Sequence, residues 1–394
     1  MDPYLNPFAP GAGSRPPELA GRDPILEEAR ISCGRALKAR SARSIMLVGL
    51  RGTGKTVLLN EIGKIAESEG LLVSKLEAPE GEALPRLIYP ELRKTMRSLS
   101  SVAAAKQIAA RGLKGLRNFA SIFNIEIAGI EVSVDPEPGL ADSGDLQYDL
   151  PALFEMVGRA AQAAGKGWIL LIDEVQYLSE ADLSALIVSM HRMSQEGLPI
   201  LMVGAGLPQV ARLAGEAKSY AERLFLYPEV GALDPASAAQ AIEKPIVDEG
   251  ASIAADALAS VVERTQGYPF FLQEWASSAW DTAEGPEITL DDVNLSYAET
   301  LASLDAGFFR VRIDRLTKSE VQFVKTMSDL GEGPYAMADI ASAMGRTQQS
   351  LGPTRAKIIS KGMIYSTDHG YLDFTVPLFA EFMRRYAQRT ELGE

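Results

Sequence analysis

Cysteine and histidine are scarce in this chain of 394 residues, which has one cysteine, Cys33, and two histidines. One thiol excludes an internal disulfide, and two distant histidines without neighbouring thiols exclude a structural zinc site. Long apolar runs are also missing, since stretches such as Trp168 to Ile172 are far shorter than the roughly 20 residues of a membrane-spanning helix. The first residues lack the basic and apolar stretches of a signal peptide, so we expect a cytoplasmic protein without a membrane partner.

Positive charge is the next deficit. Lys and Arg number 39 against 52 Asp and Glu, which gives a net charge of −13 at pH 7. This balance excludes non-specific nucleic-acid binding by the whole surface, because neutralising phosphates requires an excess of cations. A local basic site stays possible. The length alone favours two or three domains.

Short apolar runs and helical patterns alternate in the first half of the chain. Strands are predicted over 45–48, 71–76, 168–172 and 200–203, and helices from Asp23, after Gly54, near 87–99 and over 180–195. Continuous apolar strands that alternate with helices indicate an α/β fold, in which helices cover both faces of a parallel sheet. Residues 124–134 alternate as a β-hairpin would, and an acidic loop follows over 135–145.

A glycine-rich loop comes directly after the first predicted strand. Gly49-Leu50-Arg51-Gly52-Thr53-Gly54-Lys55-Thr56 matches the Walker A pattern in full, between an apolar strand and a helix-forming run. The glycines let backbone N–H groups surround a β-phosphate, Lys55 reaches the β- and γ-phosphate oxygens, and the Thr56 hydroxyl binds Mg²⁺. The pattern predicts an ATP and Mg²⁺ site that contains Gly49, Arg51, Gly52, Thr53, Gly54, Lys55, Thr56 and Val57.

Two adjacent carboxylates end the predicted strand at 168–172. Asp173 is expected to hold the magnesium shell with Thr56, and Glu174 to orient and deprotonate the attacking water. Because Glu174 is present, we expect hydrolysis of ATP to ADP and phosphate, and not only binding. Lys55 and Glu174 are therefore the predicted catalytic pair.

Four segments together resemble an AAA+ ATPase, in the group of origin-recognition-like initiators and archaeal-type ATPases related to the signal-transduction STAND class. They are Gly21-Arg22-Asp23, the glycine loop, Asp173-Glu174-Val175-Gln176-Tyr177-Leu178 and Ser219-Tyr220-Ala221-Glu222-Arg223-Leu224-Phe225. The resemblance covers residues 20 to about 290. It implies nucleotide binding that involves Arg22, and an arginine finger at Arg223 that reaches the γ-phosphate of a neighbouring copy in a homo-oligomer. Arg192, Arg212 and Arg264 compete for that role.

The chain departs from the family pattern in two places. The fourth strand ends Val203-Gly204-Ala205-Gly206-Leu207-Pro208, where many AAA+ proteins have a polar residue that senses the γ-phosphate. Sensing therefore lies elsewhere, or turnover is slow. Gly267-Tyr268-Pro269 resembles the Gly-x-Pro element of STAND-like ATPases, which implies backbone from Gly267 and Pro269 near the nucleotide. An ordinary turn between helices is the alternative.

The C-terminal module, residues 306–394, resembles a winged helix-turn-helix. Thr317 and Glu320 form the pattern of a capped helix start, residues 338–345 form a short helix that stops at a glycine, and a second helix begins after Thr347. Asp368-His369-Gly370 predicts the turn of a hairpin.

Positive charge is concentrated in this module. From Arg310 onward, twelve basic residues stand against ten acidic ones, a balance of +2 that leaves −15 for the remainder. If the module binds double-stranded DNA, Gln348 and Gln349 read base edges, and Arg346, Arg355, Lys357 and Lys361 hold phosphates, with His369 in the wing. A balance of +2 is modest, so a protein-binding winged helix is the alternative.

A second basic stretch has no acid between Leu92 and Ile125. Its seven cations are Arg93, Lys94, Arg97, Lys106, Arg111, Lys114 and Arg117. Arg111, Lys114 and Arg117 share one helical face, although Gly112 and Gly115 weaken the helix. The stretch is either a solvated face or a surface that tracks phosphates inside an oligomer.

These predictions divide the chain into four parts. Residues 1–20 form an extended arm, 21–233 an AAA+ ATPase domain with an insertion at 100–145, 234–305 a helical lid, and 306–394 a winged helix. The favoured function is an ATP-dependent switch that binds DNA, as an initiator, loader or transposition-type regulator. The alternative is a STAND-like signalling or defence ATPase whose C-terminal module binds protein.

Overall fold

The computed structural model describes residues 1–11, 13–125 and 139–392, which divide into two compact units. The sheet unit comprises Arg22–Gly49 and Gly54–Val230, and the helical unit comprises Met1–Gly21, Leu50–Thr53 and Gly231–Glu394. Residues 126–134 of the predicted hairpin lie outside the described ranges. The four-part division of the sequence stays a prediction.

The sheet unit alternates strands and helices as the apolar pattern predicts. Its elements are α1 (Asp23–Leu37), β1 (Ser44–Val48), α2 (Lys55–Glu69), β2 (Leu71–Glu77), α3 (Leu84–Ser100), α4 (Lys106–Ile122), α5 (Leu146–Ala163), β3 (Gly167–Asp173), α6 (Glu180–Gln195), β4 (Ile200–Gly206), α7 (Val210–Ala217), α8 (Ala221–Leu224) and β5 (Phe225–Leu226).

The strands form one parallel sheet in the order β2-β3-β4-β1-β5. Strand β4 lies between β1 and β3, with Val203 opposite Ile45 on one side and Leu171 on the other. Strands β1, β3 and β4 are buried at every residue, as expected for a parallel sheet that is covered on both faces. The predicted α/β fold, a parallel sheet with helices on both faces, is therefore confirmed.

Alternate residues of the strands enter two separate cores. On one face Met46, Trp168 and Met202 join the buried residues of α5 and α6. On the other face Leu47 and Leu171 join those of α1 and α2. Because successive strand side chains point to opposite faces, one apolar run supplies both cores.

Three helices of the sheet unit differ from the sequence prediction. Neither α5 nor α7 is predicted from the sequence, and α4 is continuous despite its two glycines. Both glycines are buried at close contacts, since a Cβ at Gly112 would stand 2.4 Å from Cε of Met96, and one at Gly115 2.7 Å from Cγ of Leu140. The glycines therefore allow α4 to pack tightly against its neighbours, and their cost in helix propensity is offset.

The helical unit is built mainly from short helices. Its elements are α9 (Pro235–Asp248), β6 (Ser252–Ile253), α10 (Ala255–Thr265), α11 (Pro269–Thr282), β7 (Glu287–Ile288), α12 (Leu290–Ser303), a π-helical turn (Leu304–Phe309), α13 (Arg310–Ile313), α14 (Lys318–Asp329), β8 (Tyr335–Ala336), α15 (Met337–Ala343), α16 (Gln348–Ser360), β9 (Ile364–Asp368), β10 (Tyr371–Phe374) and α17 (Phe379–Leu392).

The N-terminal segment is held against α11. It contains one 3₁₀ turn, Pro3–Leu5, and otherwise has the irregular backbone that its Pro and Gly content predicts. Phe8 is buried in the core of the helical unit, and the Trp280 indole N–H donates to the Asp2 carbonyl at 3.0 Å. The predicted arm thus packs on its own unit along part of its length.

The C-terminal module has the helices and hairpin that the sequence predicts. Strands β8, β10 and β9 form an antiparallel sheet, and Thr317 and Glu320 form the predicted capping box at the start of α14. This arrangement is consistent with a winged helix-turn-helix.

Within the described ranges, none of the helices combines the length and apolar character that crossing a bilayer requires.

A buried ion pair links two helices of this module. Lys361 Nζ donates to Glu320 Oε2 at 2.7 Å and to the Arg315 carbonyl at 2.8 Å, and the Glu320 side chain is 2% exposed. Burial acts to raise the pKa of Glu320, but hydrogen bonds from Lys361 and Thr317 outweigh it, so the pKa lies below the ordinary value. The pair therefore stabilises the module when Glu320 is ionised.

We predict that Lys361→Met loosens the C-terminal module, because it leaves the Glu320 carboxylate buried without its cation. Amide hydrogen exchange in α14 and α16 of the full chain should accelerate at pH 7, because the free energy of local opening should fall by about 1–3 kcal/mol. The stabilisation should persist above the unfolded-state pKa of Glu320 and vanish as the pH falls through its lowered folded-state pKa. Lys357→Met, at an exposed position on α16, is the control. Equal exchange in both variants would contradict this account.

Candidate functional site

The glycine loop begins where buried strand β1 ends and finishes where α2 begins. Gly52 and Gly54 have φ values of +82° and +92°, which glycine adopts readily. Lys55, the first residue of α2, is 8% exposed, and its Nζ donates to the Gly49 carbonyl at 2.9 Å. The lysine amine therefore lies at the first glycine of the loop, and its contact with phosphate stays a prediction.

The sheet order brings Thr56 to Asp173. Strands β1 and β3 flank β4, so the start of α2, just after β1, and the last residue of β3 meet at the same edge of the sheet. The Thr56 hydroxyl donates to Asp173 Oδ2 at 2.6 Å, and Asp173 is 6% exposed. A hydroxyl and a carboxylate are hard oxygen donors that suit Mg²⁺, which proteins hold through one or two such groups and nucleotide phosphates.

The donor set is small, which fits that mode of magnesium binding. In the part of the chain that the structure describes, no group of three or more His, Cys, Asp or Glu residues is placed to hold a metal. A magnesium ion at this edge would have Thr56 and Asp173 as its protein ligands, with the remaining positions left to phosphate oxygens and water.

Glu174 comes after Asp173 in a left-handed conformation, with φ of +56°. Its side chain is half-buried. The Gln176 side-chain amide donates to Glu174 Oε2, and its carbonyl oxygen accepts from the Leu207 N–H at 3.1 Å. In the sequence, Gln176 is named only as part of the motif that begins at Asp173, and no role is predicted for it.

Arg22 and Val57, the two other predicted nucleotide contacts of the sheet unit, are both buried. Arg22 occupies the N-cap position of α1 without a side-chain capping bond and is 8% exposed, and burial lowers the pKa of its guanidinium. Val57 lies in the first turn of α2 with its side chain in the protein interior. Their roles at a nucleotide stay predictions.

The predicted finger, Arg223, is exposed on α8. The three arginines that compete with it have local partners. Arg212 pairs with Glu216 at 2.7 Å, Arg192 pairs with Glu155, and Arg264 donates to Asn294 at 2.6 Å. These partners favour Arg223 among the four, although its action on a second copy stays a prediction.

In the helical unit, the Gly-Tyr-Pro element contacts the middle of the glycine loop. The Gly52 carbonyl accepts from the Phe270 N–H at 3.2 Å, just after Pro269 begins α11. Gly267 is required by geometry, since its φ is +67° and a Cβ would stand 2.2 Å from the Leu233 carbonyl oxygen. The element thus lies beside Gly52, and the role of Gly267 and Pro269 at a nucleotide stays a prediction.

Two arginines and a tyrosine gather beside this contact. Tyr268 is 2% exposed, and its hydroxyl has no hydrogen-bond partner among the described residues. Arg312 lies over the Phe308 ring at 3.8 Å, and burial, then the charge of Arg51, lowers its pKa to about 10. The sequence did not single out Arg312, which lies 261 positions after Arg51 in the chain.

The predicted DNA-contacting residues fall into two groups. Arg346, Gln348, Gln349 and Lys357 are exposed at or near α16, and His369 is exposed in the hairpin turn. Arg355 and Lys361 make internal contacts, because Arg355 Nη2 donates to Ser366 Oγ at 2.8 Å and Lys361 pairs with Glu320. The surface of α16 thus presents fewer cations than the sequence predicts.

The second basic stretch folds onto two packed helices. Arg93, Lys94 and Arg97 lie on α3, and Lys106, Arg111, Lys114 and Arg117 lie on α4. The choice between a solvated face and a phosphate-tracking surface stays open.

Residues 18–203 match the family model described as AAA ATPase domain. Residues 306–383 match a model described as Domain of unknown function (DUF8462). No curated protein matches the chain. The first match supports an AAA+ ATPase domain in this chain, and with it nucleotide binding and ATPase activity in general.

Three solved structures are similar to this chain over most of its length. The Walker-type ATPase PABY2304 of Pyrococcus abyssi is 15% identical, with 96% of this chain and 99% of that chain covered and a TM-score of 0.60. This likeness shows the fold. The Aeropyrum pernix ORC1 protein in complex with DNA is 14% identical over 99% of this chain and 98% of that chain, with a TM-score of 0.46. The Thermotoga maritima RuvB Holliday junction branch migration motor is 14% identical over 97% and 98%, with a TM-score of 0.44.

Proposed function

We propose that this protein is an ATP-hydrolysing molecular switch of the AAA+ type that engages DNA through its C-terminal module. The observation that carries the ATPase part is the 2.6 Å contact between Thr56 and Asp173, beside a complete glycine loop. It supports a magnesium-nucleotide site, because hydroxyl and carboxylate oxygens meet where a strand and a helix N-terminus converge.

Each residue of this site has a separate role in the proposal. Lys55 exchanges the Gly49 carbonyl for phosphate oxygens and balances their charge, and loop N–H groups orient the same phosphates. Thr56 and Asp173 hold the magnesium, which when bound would neutralise charge on the phosphates. Glu174 accepts a proton from the attacking water, because Thr56 contacts the Asp173 carboxylate and not the adjacent carboxylate of Glu174.

The DNA part of the proposal rests on the exposed surface of α16. Gln348 and Gln349 offer amides that can pair with base edges, and Arg346 and Lys357 offer charges for phosphates. The internal contacts of Arg355 and Lys361 reduce the charge available there. That reduction favours the second candidate, a STAND-like ATPase whose module binds protein, and a DNA-binding experiment decides between them.

For ATP, we predict that Lys55→Ala and Glu174→Gln separate binding from hydrolysis. Lys55→Ala should abolish tight ATP binding, because the phosphates lose their main cation. Glu174→Gln should keep ATP affinity and lower turnover by about 100-fold or more, because only proton acceptance by the carboxylate is removed. Calorimetric titration with ATP and release of labelled phosphate measure the two effects. Equal losses of affinity in both variants would overturn the assigned roles.

For DNA, we predict that charge and amide substitutions on α16 have different effects. Arg346→Ala and Lys357→Ala should weaken binding to all duplexes and flatten its salt dependence, because fewer counterions are released. Gln348→Ala and Gln349→Ala should relax sequence preference by about 1–3 kcal/mol per lost base contact.

Selection of genomic fragments with ADP and with a non-hydrolysable ATP analogue supplies the duplexes for this test. Lys166→Ala, an exposed cation of the sheet unit, is the matched control and should bind like the unaltered protein. If no genomic duplex binds at low salt with either nucleotide, the DNA part is wrong and the protein-binding candidate replaces it.

A further inference from the structure

Gln176 connects the carboxylate after β3 to the end of β4. It lies in the 3₁₀ turn Val175–Tyr177, and its side chain spans the gap between Glu174 and Leu207. The orientation of its amide is set by the two partners, since the Leu207 N–H can only donate and an ionised carboxylate can only accept. Both ends of the amide are therefore used.

The end of β4 is shaped to receive this side chain. From Val203 to Gly206 it carries no polar side chain, and a Cβ at Gly206 would stand 2.6 Å from Oε1 of Gln176. The absence of a side chain at position 206 leaves room for the amide. The Gln176 amide thus supplies the polar group that β4 itself lacks at this edge of the sheet.

We infer that Gln176 is a positioning residue for ATP hydrolysis, whose amide fixes the Glu174 carboxylate against the end of β4. The inference rests on the function proposed above and names the residue that controls its hydrolytic step. The amide thereby ties Glu174 to the end of β4, the strand that lies between β1 and β3. Donation to Oε2 leaves Oε1 of Glu174 available for the attacking water.

A merely structural role for Gln176 predicts different kinetics. If the amide only closes the turn, its loss should disturb ATP affinity and thermal stability together. If it positions Glu174, its loss should lower kcat and leave ATP affinity and KM almost unchanged, because a displaced carboxylate affects proton transfer and not phosphate binding.

The test compares Gln176→Met with Gln195→Met in the full chain with Mg²⁺ and ATP. Methionine fills the volume of glutamine but cannot make its hydrogen bonds, and Gln195 is exposed at the end of α6. Gln176→Met should lower kcat by about 10- to 100-fold and change ATP affinity by less than about threefold. Gln195→Met should match the unaltered protein in both quantities.

A second comparison uses the Glu174→Gln background. A residue that acts through Glu174 has nothing left to position there, so adding Gln176→Met should change the residual rate by less than about twofold. A further fall of tenfold or more in the double variant would show an effect independent of Glu174, and the inference would be overturned.

Gln176→Glu is the variant to use if Gln176→Met does not fold by circular dichroism. It keeps the acceptor for the Leu207 N–H and removes the donor to Glu174, so its kcat should fall at least as far. Hydrolysis by a folded Gln176 variant at the rate of the unaltered protein would overturn the inference while leaving the proposed ATPase function intact. An unaltered protein that binds ATP but never hydrolyses it would overturn both.

Discussion

The hydrogen bond between the Thr56 hydroxyl and Asp173 depends on the order of strands in the sheet, and the candidate site depends on that bond. Parallel strands present their carboxyl ends at one edge, and placing β4 between β1 and β3 sets the ends of β1 and β3 two interstrand spacings apart. At that spacing a threonine at the start of α2 reaches an aspartate at the end of β3. Two segments more than 100 residues apart in sequence thereby form one oxygen-lined site.

The same edge explains why β4 can end without a polar side chain. Gly206 leaves space, Leu207 offers its N–H, and Gln176 fills the gap between them and Glu174. In the helical unit, Gly267 serves a comparable purpose, since only a residue without Cβ can approach the Leu233 carbonyl so closely. Glycines thus permit close approaches in both units, of a side-chain amide at Gly206 and of backbone at Gly267.

Much of this could be predicted from the sequence, because the strong signals are local. The buried strands are continuous apolar runs, the glycine loop and Asp173-Glu174 have fixed spacing, and the capping box at Thr317 spans four residues. Helix α5 also has helical spacing at Leu150, Phe154 and Val157, so its signal was present although it was not predicted.

The rest required tertiary contacts that no local pattern encodes. The partner of Lys361 is Glu320, 41 positions earlier, and this pairing turns a predicted phosphate contact into a stabilising ion pair. Gly112 and Gly115 would weaken an isolated helix, but in the folded chain they permit the packing of α4. Their favourable effect depends on contacts with Met96 and Leu140, which no local pattern shows. Likewise, nothing in the chain near Gln176 indicates that its amide meets Leu207.

The most direct measurement is a crystal structure of the full chain with Mg²⁺ and a non-hydrolysable ATP analogue. The account predicts that Lys55 Nζ leaves the Gly49 carbonyl for phosphate oxygens, and that the Thr56 hydroxyl lies about 2.1 Å from Mg²⁺, with Asp173 bound directly or through water. Gln176 should still contact Glu174. A nucleotide bound elsewhere, with Lys55 still on Gly49 and Thr56 still on Asp173, would contradict the account.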